Sequence, residues 1–374
     1  MSSAWFVIVL AVQTPDSHMH QANPWQLATH GTAFAQYVRT FGTRGTYQFG
    51  SVNHLTLETG GPLGGGRLRV RVMGSAEPLT LTARGAPQLL QTSFPSDEGI
   101  VTDHAHANRW IMELAVQYDR ALGRGGRDTI SLYVAPVGAA ALGPPVYFHR
   151  PSAAANPVMP LGHHSQDDKH ANFGVVALGL ARGPVRVEGS LFNAREPDDI
   201  ATVFDYRAAR LDAYGTRITV APWTSWSLSA SYGYVPGATG GHAHSAEHRY
   251  GAAALYAKDG WALSLVYGAN RAFGESPRHS LLVEGARASA GGHTLFGRVE
   301  FVRRSAEELS LVGSIGPVQS IGAVQVGYAR RVTAWSGLNT RVGVYGTMNV
   351  VPRELMPFYG GRAPLTIAAF WQVL

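Results

Sequence analysis

The segment WSLSASYGYV, residues 226–235, alternates strictly between apolar and small polar side chains. One face carries Trp226, Leu228, Ala230, Tyr232 and Tyr234, and the other carries Ser227, Ser229, Ser231 and Gly233. Successive side chains of a β-strand point to opposite faces, so this period of two predicts a strand with one apolar and one polar face.

The same alternation recurs from about residue 31 to the end of the chain, whereas helical periodicity is scarce. We predict about sixteen strands, with boundaries uncertain by roughly two to four residues. They span 31–42, 47–59, 66–75, 109–121, 128–137, 172–182, 185–194, 211–222, 226–235, 248–258, 261–270, 279–288, 293–303, 319–331, 339–348 and 364–374. In the strand 109–121, Met112 and Leu114 belong to the apolar face, Glu113 belongs to the polar face, and Ile111 breaks the alternation.

The connections between these strands alternate in length. Short turns such as 182–184, 222–225 and 258–260 alternate with mostly long loops such as 76–108 and 138–171. A soluble propeller or lectin gives no reason for this parity, but a transmembrane β-barrel has tight turns at one end and long loops at the other. The tryptophans that flank short turns agree with an aromatic girdle at one membrane interface; they are Trp223, Trp226, Trp261 and Trp335.

Composition excludes several other classes. The 374 residues include 44 glycines and no cysteine, and 45% are hydrophobic. This apolar content excludes intrinsic disorder, and no apolar run reaches the ~18 residues of a membrane-spanning helix. The net charge of +6 comes from arginines spread along the chain, which excludes the clustered charge that nucleic-acid binding needs. Without cysteine there are no disulfides, thiol nucleophiles or Cys-based zinc sites.

The last predicted strand, LTIAAFWQVL (365–374), is hydrophobic and contains Phe370 and Trp371. Here the sequence resembles the bacterial outer-membrane β-barrels of the porin-like type, and the resemblance covers residues 30–374 as architecture. It implies an outer-membrane location, contact with outer-membrane lipid, and an up-and-down antiparallel barrel. The chain departs from the pattern by ending in Leu374 rather than Phe and by placing Gln372 where an outward apolar residue is expected.

The loop strings DHAHANR (103–109) and GPPVYFHRPSAAANPVMPLGHH (143–164) look like those of a subset of these barrels with His-containing outer loops. That likeness implies no particular ligand. In porin-like proteins a loop comparable to 138–171 folds inward and narrows the pore, and we expect the same here by analogy. Residues 1–29 are treated as an N-terminal segment, interpreted either as a shortened signal peptide or as an ordinary N-terminal strand.

If the apolar faces meet lipid, the charged side chains on the opposite faces point into the lumen, because a charge facing lipid costs ~2–4 kcal/mol near the midplane. The predicted pore-lining residues are Arg67, Arg69, Arg71, Glu113, Arg186, Glu188, Arg217, Arg298, Glu300 and Arg341. An excess of arginine favours anions, and about sixteen strands leave room for an aqueous channel. The alternative is that these Arg and Glu side chains only pair with one another and hold the wall.

Histidine is the second candidate chemistry. The chain has 15 histidines, most of them in predicted outer loops. Imidazole suits Cu, Ni and Zn, so the two longest loops supply a candidate transition-metal site, with Asp103, Asp167 and Asp168 as added oxygen ligands. Its candidate ligands are His104, His106, His163, His164 and His170. The alternative is that they are ordinary hydrogen-bonding loop residues.

We find no nucleophile elbow, P-loop or dinucleotide-binding motif, so no enzyme is predicted. The sequence favours a porin-like channel for passive diffusion of small polar or anionic solutes, with no cofactor other than such a metal. A surface metal-binding barrel and a closed structural barrel remain as alternatives, and a homotrimer is an assembly that all three allow.

Overall fold

A computed structural model of the chain describes residues 25–82, 85–95, 101–123, 128–167, 172–193, 210–237, 246–333 and 339–374. Sixteen strands within these ranges pair antiparallel into one closed barrel, and two further strands form a separate hairpin. The predicted fold class and each of the sixteen predicted strands are therefore confirmed.

The strands follow one another around the wall in chain order, except that β3 pairs with β6. Their bounds are β1 Gln26–Thr40, β2 Tyr47–Leu63, β3 Gly66–Gly74, β4 Ala86–Pro95, β5 Val101–Ala105, β6 Ile111–Leu122, β7 Asp128–Gly138, β8 Asn172–Arg182, β9 Val185–Phe192, β10 Ala213–Val220, β11 Trp226–Val235, β12 Glu247–Lys258, β13 Trp261–Ala272, β14 Arg278–Ala288, β15 His293–Ser305, β16 Val318–Thr333, β17 Asn339–Val350 and β18 Leu365–Val373. Three four-residue helices lie between strands: α1 Glu77–Thr80, α2 His163–Gln166 and α3 Met356–Tyr359.

The predicted parity of the connections is confirmed. Asp259 and Gly260 alone join β12 to β13, and both have positive φ (51° and 77°), which suits the right-handed twist of a hairpin. The long connections 75–110 and 139–171 leave the opposite end of the barrel. No helix in the described part of the chain is long and apolar enough to cross a membrane.

The outer face of the barrel is apolar. Along β13, Leu263 and Leu265 are exposed, whereas Ser264 and Val266 between and beside them are buried. Trp223, Trp226 and Trp261 are exposed at the short-turn end, as predicted; Trp335 lies outside the described residues. The strands thus present a continuous apolar surface outward and place their polar alternates inside.

The hairpin β4–β5 was not predicted. It lies within the expected loop 76–108 and pairs with a register shift between Pro87 and Thr92. Leu90, inside that irregular stretch, has φ 66°. A strand with such an interruption lacks the regular alternation by which the other strands are recognised.

Three details of the predicted wall are wrong. Gln372 is not on the outer face: it is fully buried in the interior, where its Nε2 donates to the Ala154 carbonyl (2.8 Å). Met112 is also buried, because a bulge opposes Gly74 to Ile111 and Met73 to Glu113, which leaves Met112 as the extra residue. Finally, β1 begins at Gln26, five residues before the predicted start of the first strand at residue 31.

A charge placed on the outer face tests this orientation. Leu265 lies opposite Ala254 on β12 and Val283 on β14 in the strand register. Leu265→Arg places a guanidinium between these two residues. In lipid vesicles we expect the free energy of unfolding to fall by about 2–4 kcal/mol, since a cation near the midplane must leave water. Equilibrium denaturant titration measures it. Leu265→Met is the apolar control, and an equal cost for both variants would contradict an outward Leu265.

Candidate functional site

The loop that joins β7 to β8 enters the barrel and crosses its interior. Its described part, residues 139–167, forms hydrogen bonds with the inner wall on strands far apart around the barrel. The contacts run from β9 to β18: Ala141 N to Ser190 Oγ (2.8 Å), Gly143 N to Ser231 Oγ (2.9 Å), Ser152 Oγ to Glu284 (2.8 Å), Leu161 N to Glu300 (2.7 Å), Asn156 Nδ2 to Gln325 (2.6 Å), and Gln372 Nε2 to Ala154 O (2.8 Å). The predicted inward folding of this loop is thus found in the structure. We call residues 139–167 the inserted loop.

Glycines on the wall make room for the inserted loop. Gly215 pairs with Gly233 between β10 and β11, and Gly251 pairs with Gly268 between β12 and β13. A Cβ at either of the first two would overlap the side chain of Leu142, and a Cβ at Gly268 would overlap the backbone of Ser165. These four positions form a track without side chains, along which the loop backbone approaches the wall. We call them the glycine track.

A buried ion cluster holds the middle of the inserted loop. Arg298 lies 3.2 Å from Glu284 and 3.7 Å from Glu300, and all three side chains are almost fully buried. The Arg298 guanidinium also donates to the Val158 carbonyl (2.6 Å). Removing one member of a buried group of this kind leaves an uncompensated charge, so the cluster ties the loop firmly to β14 and β15.

The hairpin β4–β5 packs over the end of the inserted loop. Gln88 and Gln91 donate to the Met159 and Pro160 carbonyls (2.8 and 3.1 Å), and Leu90 packs with Leu161 in an apolar cluster. Cavities of about 20 Å³ lie in this region, lined by Pro87, Val158 and Tyr345. Each is large enough for about one water molecule.

The opposite side of the interior carries a chain of ion pairs. Arg71 contacts Glu58 (2.7 Å) and Glu113 (3.4 Å), bridging β2, β3 and β6. Further around, Glu188 on β9 contacts both Arg186 (3.0 Å) and Arg217 (2.9 Å). The side chains of Arg71, Arg186 and Arg217 keep 33%, 22% and 22% of their exposure, in contrast with 1% for Arg298.

The ten predicted pore-lining residues therefore fall into two groups. Arg298 and Glu300 are buried beneath the inserted loop, and Arg341 is buried beside Gln372. The others lie on strands β3, β6, β9 and β10: Arg67, Arg69, Arg71, Glu113, Arg186, Glu188 and Arg217. Arg69 pairs with Asp119 there (2.5 Å), and Arg67 is exposed towards the short-turn end. Six of these seven side chains form ion pairs inside the barrel, and they are Arg69, Arg71, Glu113, Arg186, Glu188 and Arg217.

The predicted metal ligands are partly brought together. His106, which follows β5, meets His163 and His164, which begin α2. The Nε2 atoms of His106 and His163 are 3.2 Å apart. His104 is buried on β5 and is not part of this group, and His170 lies outside the described residues.

The glycine track and Glu284 were not predicted as parts of the site. The signal for Glu284 was present, since it alternates with the exposed Val283 and lies opposite Arg298 in the register. The four glycines could have been recognised as inward positions of neighbouring strands. Without the register, however, nothing indicated that they meet at one level of the wall.

A buried carboxylate fixes the start of the long connection between β3 and β6. Glu77 accepts hydrogen bonds from Asn53 N (3.0 Å), Asn108 N (2.6 Å) and Asn108 Nδ2 (2.7 Å), which links β2 to the segment before β6. Burial raises the pKa of the Glu77 carboxyl to about 7, although these hydrogen bonds oppose the shift.

Structures of bacterial outer-membrane proteins share this architecture. OmpF of Salmonella typhi in complex with daunomycin aligns with a TM-score of 0.54 at 10% identity, over 92% of this chain and 97% of its own. The anion-selective porin from Comamonas acidovorans aligns with a TM-score of 0.51 at 11% identity, over 93% and 99%. The trimer form of OmpT from Vibrio cholerae gives 0.50 at 8% identity, over 93% and 99%.

At these identities the likeness defines the fold, which is the sixteen-stranded antiparallel barrel of porins. No family model matches the chain, and no curated protein matches it. The architecture is therefore established by the strands themselves and by structural similarity.

The raised pKa of Glu77 predicts a pH-dependent stability. A carboxyl that binds its proton more tightly when folded contributes stability below its unfolded pKa of 4.5, and this contribution is lost as the pH rises through about 7. Relative to Glu77→Gln, we expect the free energy of unfolding of the unsubstituted protein to fall by about 3 kcal/mol across this range. Denaturant titrations at several pH values measure the difference.

The matched control is Glu275→Gln, a change at an exposed glutamate in another loop at the same end of the barrel. This control should keep the pH dependence of the unsubstituted protein. If Glu77→Gln keeps it as well, the explanation from the buried carboxyl is wrong.

Proposed function

We propose that the protein is a passive, porin-like channel in the bacterial outer membrane, and that it passes small polar solutes with a weak preference for anions. The observation that carries the proposal is the partly exposed row of charged side chains beside the inserted loop, inside a barrel whose outer face is apolar. The sixteen-stranded fold shared with OmpF and the anion-selective porin supports it. No bond-making step is required.

The aqueous path in this proposal follows the wall from β3 to β10. The inserted loop and the hairpin fill the β15–β18 side, where Arg298 and its carboxylate partners are shielded from solvent. On the β3–β10 side, Arg71, Arg186 and Arg217 retain exposure to water. Arg217 also donates to the Gly143 carbonyl of the inserted loop (3.1 Å), so solutes would pass between the loop and the ion pairs of β3, β6 and β9.

The charge on this wall argues for a weak selectivity. Arginines outnumber carboxylates by five to four among the residues that face the path: Arg67, Arg69, Arg71, Arg186 and Arg217 against Glu58, Glu113, Asp119 and Glu188. Most of these charges are paired, which reduces the field that an ion in the lumen feels. An uncharged polar solute fits this lining as well as a small anion does.

A homotrimer is the assembly that we propose for the barrel in the membrane. OmpT of Vibrio cholerae, which has a similar fold, occurs in a trimer form. The path described above lies within a single barrel, so solute passage does not depend on this association.

Neutralising one lumen arginine tests the selectivity. Arg217→Gln leaves Glu188 paired with Arg186 and removes the surplus positive charge. We expect the reversal potential in a salt gradient to shift towards cations, because the lining becomes more negative. Planar-bilayer recordings measure the shift.

The matched control is Arg182→Gln, which removes the same charge from a side chain that is 88% exposed at the short-turn end. It should leave the reversal potential nearly unchanged. If Arg182→Gln shifts the potential as much as Arg217→Gln does, the selectivity comes from the charge of the barrel mouth rather than from the β3–β10 wall.

Removing the inserted loop distinguishes a channel from a closed barrel. Gly138 and Asn172 are paired across β7 and β8, so a short Gly–Ser turn can replace residues 139–171 and keep these two strands paired. We expect the unsubstituted protein to conduct in discrete steps and the shortened one to conduct several-fold more, because the loop narrows the lumen. Circular dichroism verifies that the barrel is retained. Silence of the unsubstituted protein, with conduction only after shortening, would instead identify a closed barrel.

A further inference from the structure

We infer that His106, His163 and His164 bind one divalent transition-metal ion of the Zn²⁺, Cu²⁺ or Ni²⁺ class. One imidazole nitrogen from each side chain lies within 4.8 Å of the other two. The inference concerns metal binding alone and does not depend on whether solutes pass through the barrel.

The spacing suits a metal with nitrogen ligands. Zn–N bonds of ~2.0–2.1 Å at tetrahedral angles place two ligand nitrogens about 3.3 Å apart. The Nε2 atoms of His106 and His163 are already 3.2 Å apart. His164 lies beside them, with its ring centroid 3.9 Å from that of His163 and 5.3 Å from that of His106. Small rotations of the rings complete a three-nitrogen face.

The backbone that carries these side chains is held on both sides. Just before His163, Leu161 N donates to Glu300, and just after His164, the Ser165 Oγ lies 2.7 Å from the Ser280 Oγ. On the other side, Asn108 is fixed by Glu77 two residues beyond His106. A site whose ligands are already positioned loses little conformational entropy when the ion binds.

The ligand set determines the class of ion. Three neutral imidazoles favour Zn²⁺, Cu²⁺ and Ni²⁺, whereas Mg²⁺ and Ca²⁺ take oxygen ligands. Three protein ligands also leave one tetrahedral position open to water. His163 is buried, while His106 and His164 are half-buried, so an ion can reach the cluster from solvent.

The ion would join two separate segments of the chain. His163 and His164 belong to the inserted loop, and His106 belongs to the segment between the hairpin and β6. Without a metal, the His106 and His163 rings share a hydrogen bond. Metal-free hydrogen bonding is therefore the competing explanation that the experiment must exclude.

The test uses the full chain without a histidine tag, folded in detergent and stripped with a chelator. After equilibration with Zn²⁺ and gel filtration, elemental analysis should give one ion per chain. His106→Gln and His163→Gln should each weaken binding by at least about tenfold, the loss typical of disrupting even outer-shell groups. His279→Gln is the matched control, because His279 lies on β14 and bonds to Tyr267 (2.9 Å), and it should bind Zn²⁺ as the unsubstituted protein does.

Equal Zn²⁺ binding by the cluster variants and by His279→Gln would overturn the inference, as would displacement of Zn²⁺ by equimolar Ca²⁺. If a cluster variant fails to fold, the visible spectrum of Co²⁺ added to the unsubstituted protein decides. A four- or five-coordinate spectrum with nitrogen ligands supports the site. A spectrum like that of hydrated Co²⁺ overturns it and leaves the hydrogen-bonded histidines as the explanation.

Discussion

Closure of the sheet is the constraint on which the rest of the molecule depends. β1 pairs with β18 from Ala33–Val373 to Thr40–Thr366 and with β2 on its other side, so the wall has no free edge. An unsatisfied backbone group in hydrocarbon costs several kcal/mol, and a closed barrel avoids that cost for every strand. Closure also fixes which side chains face inward, and the lining of the interior follows from it.

In a closed wall, the alternation of side chains along each strand determines which residues face inward. Most of what could be predicted from the sequence follows from this alternation. The apolar residues of β11 and β13 and the arginines of β3 alternate without interruption, so their faces could be assigned from the sequence. The assignment failed at Met112, where a bulge adds a residue, and at Gln372, whose partners lie far away in the chain. The bulge leaves no periodic signal, whereas Gln372 keeps the alternation of β18, whose outward residues include Ile367 and Trp371, so only the bulge could not be predicted.

The position of the inserted loop depends on the wall in a different way. Its length and its Pro and Gly content suggested a functional role, but its course depends on the register that aligns the glycine track on β10–β13. The buried Arg298 then needs both Glu284 and Glu300 and the Val158 carbonyl to offset its desolvation. Loop and wall therefore complete one another, since each supplies polar partners that the other would lack.

The inserted loop connects the two candidate sites suggested by the sequence, which are the charged lining and the histidine cluster. One side of it leaves the row of ion pairs on β3–β10 exposed to water, and its last helical turn carries His163 and His164 to His106. The histidines could be proposed as ligands from residue type alone. Which of them meet could not, because the contact joins two loops through the unpredicted hairpin β4–β5. A shift of the inserted loop would therefore alter the space beside these ion pairs and the spacing of the histidines together.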